Sequence, residues 1–361
     1  MISVNPKKPH IYEIDSNSLQ EILHSWGEPH YRASQIWRGL YNNLWNNPDQ
    51  FTTLSKSLQH RLEEAFSWYD LEPGLFLESS DGITRKTLFH LSNGNAIEAV
   101  LMRYKRRNTI CISSQVGCPM GCVFCATGQM GFVRNLTSAE IVGQVLYFAR
   151  DLNSSNERIT NVVVMGMGEP FSNYESTMSA IRCLNQPDGF NLGARRFTIS
   201  TVGLIPGIYR FMSEDKQINL AISLHAADDD LRSSLLPINR KYPIKDLISV
   251  CYEYVRKSNR RISFEWALIR DVNDNDEQAR KLAQLLKPFT VKGSSMCHVN
   301  LIQLNPTQIY SGNSSTTQQT RSFHSALEYH GIPCTIRTRH GIDIQAGCGQ
   351  LVVQGNQHHK C

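Results

Sequence analysis

Apolar residues recur at helical spacing through the first part of the chain and then change period. "YRASQIWRGLYNNLW" (31–45) and "LSKSLQHRLEEAF" (54–66) carry them three and four apart, with "NNPDQF" as a break between. Residues 1–90 are therefore expected to form a small helical accessory domain. From residue 91 short apolar or alternating runs take over: "NAIEAVLMR", "TICISSQV", "ITNVVVMGM", "RFTISTV", "INLAISLH", "ISFEWALI" and "VNLIQLN". Between them lie longer amphipathic stretches, "TSAEIVGQVLYFARDL", "ESTMSAIRCLN", "IKDLISVCYEYVRKS" and "DNDEQARKLAQLLKPF". The first opens on Thr137 with Glu140 three residues on, so each side chain can satisfy the other's backbone N–H. This repetition predicts an α/β core over 91–345: a parallel sheet with helices outside it, open or curled into a barrel. Chemistry then gathers at the carboxyl ends of the strands. Periodicity fades near 345, leaving 346–361 as a loop and tail. His358, His359 and Cys361 there could bind a metal, but a frayed terminus is the simpler reading.

Composition narrows the setting. A chain that is 41% hydrophobic and 19% charged is of globular type. It has no run of about 18 apolar residues that would span a membrane, and "MISVNPKKPHIYEIDSN" lacks the apolar core of a secretory signal. A cytoplasmic protein without a membrane partner is expected, in which ten cysteines are not a disulfide framework. The net charge of +5 permits a nucleic-acid partner without demanding one. Its distribution says more. "RYKRRN" gathers Arg103, Lys105, Arg106 and Arg107 around Tyr104, either a solvated face or a phosphate site. In the helical domain Arg32, Trp37, Arg38, Tyr41, Lys56 and Arg61 could touch RNA, although its aromatics also suit a core.

The densest chemistry is "GCPMGCVFCATG", with Cys118, Cys122 and Cys125 and no fourth cysteine in the next fifty residues. Gly117, Pro119 and Gly121 supply the turns that let one loop wrap a metal centre. Structural zinc needs a fourth thiolate or imidazole, which a distant histidine could provide. A four-iron cluster on three cysteines leaves one iron without a protein ligand, free for a substrate or cofactor.

The spacing C-x3-C-x2-C, with Phe124 before the third cysteine, is the signature of the radical S-adenosylmethionine superfamily. Membership implies a partial (β/α)6 barrel, one 4Fe-4S cluster, and S-adenosylmethionine chelated to the free iron and cleaved to a 5′-deoxyadenosyl radical. Over nearly its whole length the chain resembles the dual-specificity RNA methyltransferases of the RlmN type, which methylate C2 of an adenine in 23S ribosomal RNA. The most specific segments are "CISSQVGCPMGCVFCATGQMGFVRNL", "VVVMGMGEP", "TISTVGLIP", "AISLHAADDDLRSSLLPIN" and "RTRHGIDIQAGCGQL".

The resemblance implies roles by position. Gly168 and Glu169 match the segment holding the amino group of S-adenosylmethionine. Ser200, then Ser223, Leu224 and His225, then Asn305 match its further contacts, all at the ends of successive expected strands. Alone, "GMGEP" would be a Gly-Pro turn, and a serine or asparagine there a helix cap. Cys348 matches a methyl-accepting thiol, with Gly347 and Gly349 suggesting a mobile loop; two S-adenosylmethionines are used per methyl transferred. The S-methyl group loses a hydrogen to the radical and adds to C2, joining protein to RNA. Cys111 matches the thiol that breaks this link through a transient disulfide, reduced afterwards by a cellular dithiol. Glu98 matches the acceptor of the C2 proton, in a setting expected to be apolar. Without the family, Cys111 reads as a buried strand cysteine and Glu98 as an exposed carboxylate. Cys183, Cys251, Cys297 and Cys334 match no functional position. An electron donor such as flavodoxin is implied, and transfer RNA is a second substrate of some members. The alternatives are a relative that methylates C8 and confers antibiotic resistance, against which the proline of "GEP" leans, and a non-enzymatic zinc-bound RNA-binding protein.

Overall fold

The computed structural model describes residues 8–68, 71–214, 216–291 and 294–351. Three helices come first: α1 (Ser16–Ser25), α2 (Tyr31–Tyr41) and α3 (Lys56–Ala65). Asp15 caps α1 by accepting from the Asn17 and Ser18 amides, and the Ser55 hydroxyl caps α3 by accepting from Leu58 N–H. Trp37 and Tyr41 are buried, and the Tyr41 hydroxyl lies 2.9 Å from Cys183 Sγ, so these aromatics serve the core rather than an RNA surface. Arg32 pairs with Glu28, Lys56 pairs with Asp49, and Arg61 stacks on Trp26.

The helices stop at Ala65. Residues 72–90, expected to belong with them, instead form the antiparallel strands β1 (Glu72–Glu78) and β2 (Thr84–His90). Asp81 Oδ1 shapes the turn between them by accepting from the Ser79 hydroxyl and from Ile83 N–H. Because β1 is an edge strand with most residues exposed, its sequence lacks the one-sided alternation that marks a strand.

β3 (Ala96–Tyr104) and β4 (Arg107–Ile112) extend this antiparallel run. A small hairpin, β5 (Gln115–Gly117) with β6 (Phe132–Asn135), brackets the cysteine loop, inside which α4 (Ala126–Gln129) begins. α5 (Ser138–Asn153) carries the expected capping box: Glu140 N–H donates to Thr137 Oγ1 and Thr137 N–H to Glu140 Oε2. Then follow β7 (Asn161–Val164), α6 (Tyr174–Asn185), β8 (Phe197–Thr201), α7 (Ile205–Phe211), β9 (Asn219–Ser223), α8 (Asp229–Leu235) and α9 (Ile244–Ser258). The chain continues with β10 (Ile262–Leu268), α10 (Asp276–Leu286), a minor pair β11 (Thr290–Val291) and β12 (Ser294–Ser295), β13 (Cys297–Gln303), α11 (Thr317–Tyr329) and β14 (Cys334–Ile336).

Among the described residues one sheet runs in the order β1-β2-β3-β4-β7-β8-β9-β10-β13-β14, parallel from β4 onward. Six parallel strands in chain order, β4 to β13, with helices between them, make the expected partial (β/α)6 barrel of an α/β protein. Strand pairing does not close it. The segment after β14 bridges the gap: the Tyr104 and His340 rings meet at 5.3 Å, Lys86 Nζ donates to the Gln345 carbonyl, and Ser80 N–H donates to Asp343 Oδ2. No helix among the described residues is long and apolar enough to cross a membrane. His358, His359 and Cys361 lie outside the described residues.

Candidate active site

Gly117 opens the cysteine loop with φ +71°, where a Cβ would stand 1.9 Å from the Gly131 carbonyl oxygen. Cys118 N–H donates to that same carbonyl, and Val123 N–H donates to Leu235 O, so the loop is held at both sides. Cys118, Cys122 and Cys125 line one cavity at the carboxyl ends of the strands. Burial pushes the Cys118 thiol up to about 12 and raises Cys122 and Cys125 as well. Against this, the Met120 amide donates to Cys118, and the Gly128 and Thr127 amides donate to Cys125. Buried thiols already supplied with N–H donors suit thiolates whose charge a bound metal cluster balances. Three thiols on one loop leave a four-iron cluster with one iron free of protein ligands.

Opposite the loop stand the strand ends. Gly168, after β7, has φ +103°, and a Cβ there would come within 2.6 Å of Gln115. Glu169 is 2% exposed; its Oε1 accepts from Phe171 N–H at 3.0 Å and its Oε2 from Val202 N–H at 2.9 Å. Burial outweighs these bonds and pushes its carboxyl up to about 7. The Ser200 and Ser223 hydroxyls, from β8 and β9, lie 3.4 Å apart. His225 has φ +60°, and its Nδ1 accepts from Ala267 N–H. Burial, assisted by the Arg232 charge, holds it down at about 3, so a neutral ring presents Nε2–H beside Phe124. Asn305 Nδ2 donates to the Cys348 carbonyl, while its Oδ1 is buried without a partner, an acceptor open to a ligand's donor. All of these except Leu224 line the cavity; the Leu224 side chain is packed in the core.

The contacts are not on strictly successive strands, because β10 stands between β9 and β13 and adds Glu265 and Ala267 to the wall. Glu265 is buried and raised by that burial, with Oε1 accepting from Asn300. A lone acid inside the apolar run "ISFEWALI" was the signal for it. Arg232, fully buried, fastens the strand ends together by donating to the carbonyls of Val202, Ser223 and Leu224 and to Asn239 Oδ1. Arg232→Met would leave these acceptors unsatisfied, and urea unfolding is expected to register a loss of about 3 kcal/mol or more.

Cys111 on β4 and Cys348 beyond β14 both face the cavity, as free thiols. Burial raises each to about 12, and each is raised further by neighbouring thiols, while Arg337 pulls both down. Cys348 is accessible, but the space it opens on is the cavity itself. Its loop is pinned rather than loose: Ala126 N–H donates to Gly349 O at 2.7 Å and Thr127 Oγ1 to Leu351 O at 2.6 Å. Glu98 is buried, but its setting is not apolar, because Lys86 Nζ stands 3.0 Å from its Oε1 and also bonds the Gln345 carbonyl. It does not line the cavity, whereas Val100, Met102 and Tyr104 of the same strand do. Cys251 and Cys297 are core residues, Cys183 meets Tyr41, and Cys334 donates to His324 O. In the basic run Arg103 is engaged by Asp151 at 3.3 Å, leaving Lys105, Arg106 and Arg107 exposed.

Comparison with known proteins shows what the chain is similar to. Residues 112–283 match the family model described as the radical SAM superfamily, and residues 10–67 that of the ribosomal RNA large subunit methyltransferase N-terminal domain. The probable dual-specificity RNA methyltransferase RlmN of Chloroflexus aurantiacus is 47% identical over 347 residues, covering 94% of this chain and 92% of that protein. The dual-specificity RNA methyltransferase RlmN 1 of Myxococcus xanthus is 46% identical over 341 residues, covering 94% and 93%. The crystal structure of a radical SAM methyltransferase from Sphaerobacter thermophilus superposes with a TM-score of 0.91 at 46% identity, covering 95% of this chain and 99% of that one.

Proposed function

The chain belongs to the RlmN family of radical S-adenosylmethionine RNA methyltransferases, and from that premise we propose that it methylates C2 of one adenine in 23S ribosomal RNA and of the adenine beside the anticodon in some transfer RNAs. The observation that carries this reading is one cavity lined by the three-thiol loop, the Glu169 carboxyl, and the second pair of thiols Cys111 and Cys348.

Cys118, Cys122 and Cys125 are the ligands of a 4Fe-4S cluster in this reading. Glu169 and the glycine turn before it receive the N–H donors of the S-adenosylmethionine amino group. Ser200, Ser223, the backbone at Leu224, His225 and the unpaired Oδ1 of Asn305 take its remaining polar groups. When bound, cluster and sulfonium supply a 5′-deoxyadenosyl radical. Cys348 would accept a methyl group from one S-adenosylmethionine. That S-methyl group would lose a hydrogen atom to the radical supplied by a second, its carbon would bond to C2, and the odd electron would pass back to the oxidised cluster as the C2 proton leaves. Cys111, as its thiolate, then attacks the Cys348 sulfur. The C2-bound carbon leaves with the electron pair of the broken C–S bond and takes up a proton to become the methyl group, and a disulfide remains for a cellular dithiol to reduce. The family likeness gives the C2 proton to Glu98, which stands outside the cavity lining and is tied through Lys86 to the Cys348 loop. A flavodoxin-like electron donor and a cytoplasmic setting belong to the same reading.

Mass spectrometry of adenosines from ribosomal and transfer RNA treated with the protein tests it. Methyl at C2 is the expected result; methyl at C8 would move the chain to the antibiotic-resistance branch.

A further inference from the structure

Two segments far apart in sequence meet at the cavity mouth. From the β3–β4 turn come Tyr104 and Arg107, with the guanidinium 4.6 Å above the tyrosine ring. From the chain after β14 come Arg337, Arg339 and His340, and the His340 ring stands against Tyr104 at 83°. Tyr104, Arg337, Arg339 and His340 all line the cavity. The two arginines are exposed, and among the described residues neither guanidinium has a hydrogen bond or ion pair, unlike Arg103 nearby, which Asp151 engages. Arg337 lies within electrostatic reach of Glu265 and the two thiols, but among the described residues neither it nor Arg339 is held in an ion pair, so both guanidiniums are open to an anionic ligand.

Arg337 and Arg339 are one residue apart in the segment after β14 and open on the same cavity, so both can meet one nucleic-acid strand as it enters. An adenine inside a duplex cannot present C2 to a buried thiol, so the target nucleotide must leave its stack. Resting on the methyltransferase reading, we propose that Arg337 and Arg339 hold the phosphates flanking the target adenosine, and that the Tyr104–His340 corner is the wall against which the extruded base packs as it enters. Arg107, over the Tyr104 ring, fixes that ring and adds charge at the rim. RNA recognition by this chain is thus built at least partly into the barrel mouth.

The test measures binding of a short stem–loop RNA to cluster-loaded protein by fluorescence anisotropy at several salt concentrations, using an RNA that the wild-type protein methylates. Arg339→Gln is expected to weaken binding and to lower the slope of log affinity against log salt by about 0.7. Arg339→Lys should restore the slope, since a point charge suffices for a phosphate. Tyr104→Leu should cost about tenfold in affinity at unchanged slope, the signature of lost stacking. Circular dichroism and the absorbance near 400 nm, which reports the cluster, control for folding. Wild-type slope in Arg339→Gln overturns the proposal while leaving the methyltransferase reading intact. A wild-type protein that methylates none of the ribosomal or transfer RNA stem–loops overturns that reading instead.

Discussion

Cys111→Ala is expected to trap the reaction at its covalent stage, leaving about one RNA per chain attached through Cys348 and no second turnover. In the proposed reaction this thiol is the one that resolves, and its place in the sheet suits that role. Cys111 sits in the middle of the sheet, paired with Val100 on one side and Val163 on the other, so its position is fixed. Cys348 lies in a loop held to the cluster-binding loop by Ala126 and Thr127. A disulfide needs the two Cβ atoms within about 4.5 Å, and the loop, not the strand, has to supply any approach. Burial keeps both thiols protonated at neutral pH, with Arg337 the nearby cation that favours their ionised forms. Cys348→Ala should give neither methylated RNA nor adduct. Denaturing gels with labelled RNA separate the outcomes, and normal turnover by Cys111→Ala would remove the resolving role altogether.

What could be read from the sequence was what short-range chemistry dictates. The cysteine loop, its glycine turns, the capping box at Thr137 and the βα alternation are written within a few residues of one another, and the structure carries each of them. The readings that went astray depend on partners remote in sequence. Glu98 was expected in apolar surroundings because its neighbours along β3 are apolar; the Lys86 that answers it comes from the adjacent strand, in a register that sets Leu88 opposite Glu98 and Lys86 opposite Val100. Arg103 looked like one of four equivalent basic residues until Asp151, at the end of α5, took it. The Cys348 loop looked mobile because glycines flank it, whereas backbone acceptors within it are satisfied by α4. Arg337 is the clearest omission. It lies inside a segment that carries the family likeness, yet nothing local distinguishes it from Arg339, and its place beside both thiols follows only from the way β14 meets the open edge of the barrel.

Glu169→Gln should remove the pH dependence of S-adenosylmethionine binding and weaken it at least tenfold at pH 8. The ligand-free carboxyl, lifted by burial to about 7, is largely neutral below that pH, although its hydrogen bonds all come from donors that prefer the carboxylate. The N–H donors of an amino group arriving beside it favour ionisation, so binding expels a proton wherever the carboxyl was protonated. Affinity should therefore rise about tenfold per pH unit from roughly pH 5 and flatten above 7. Folding answers to the same group with the opposite sense. Its folded value lies above the ordinary 4.5, so the folded chain holds more protons between those limits and loses stability as pH climbs through them. The contribution is present in full below 4.5, is gone above about 7, and amounts to up to roughly 3 kcal/mol. Bound S-adenosylmethionine should return most of it at pH 8, and glutamine, which does not titrate, should flatten both curves. Calorimetric titrations of anaerobic, cluster-loaded protein at pH 6, 7 and 8 read the binding arm, and urea unfolding across the same range reads the other. Should Glu169→Gln keep the wild-type affinity and pH slope, this carboxyl does not meet the amino group.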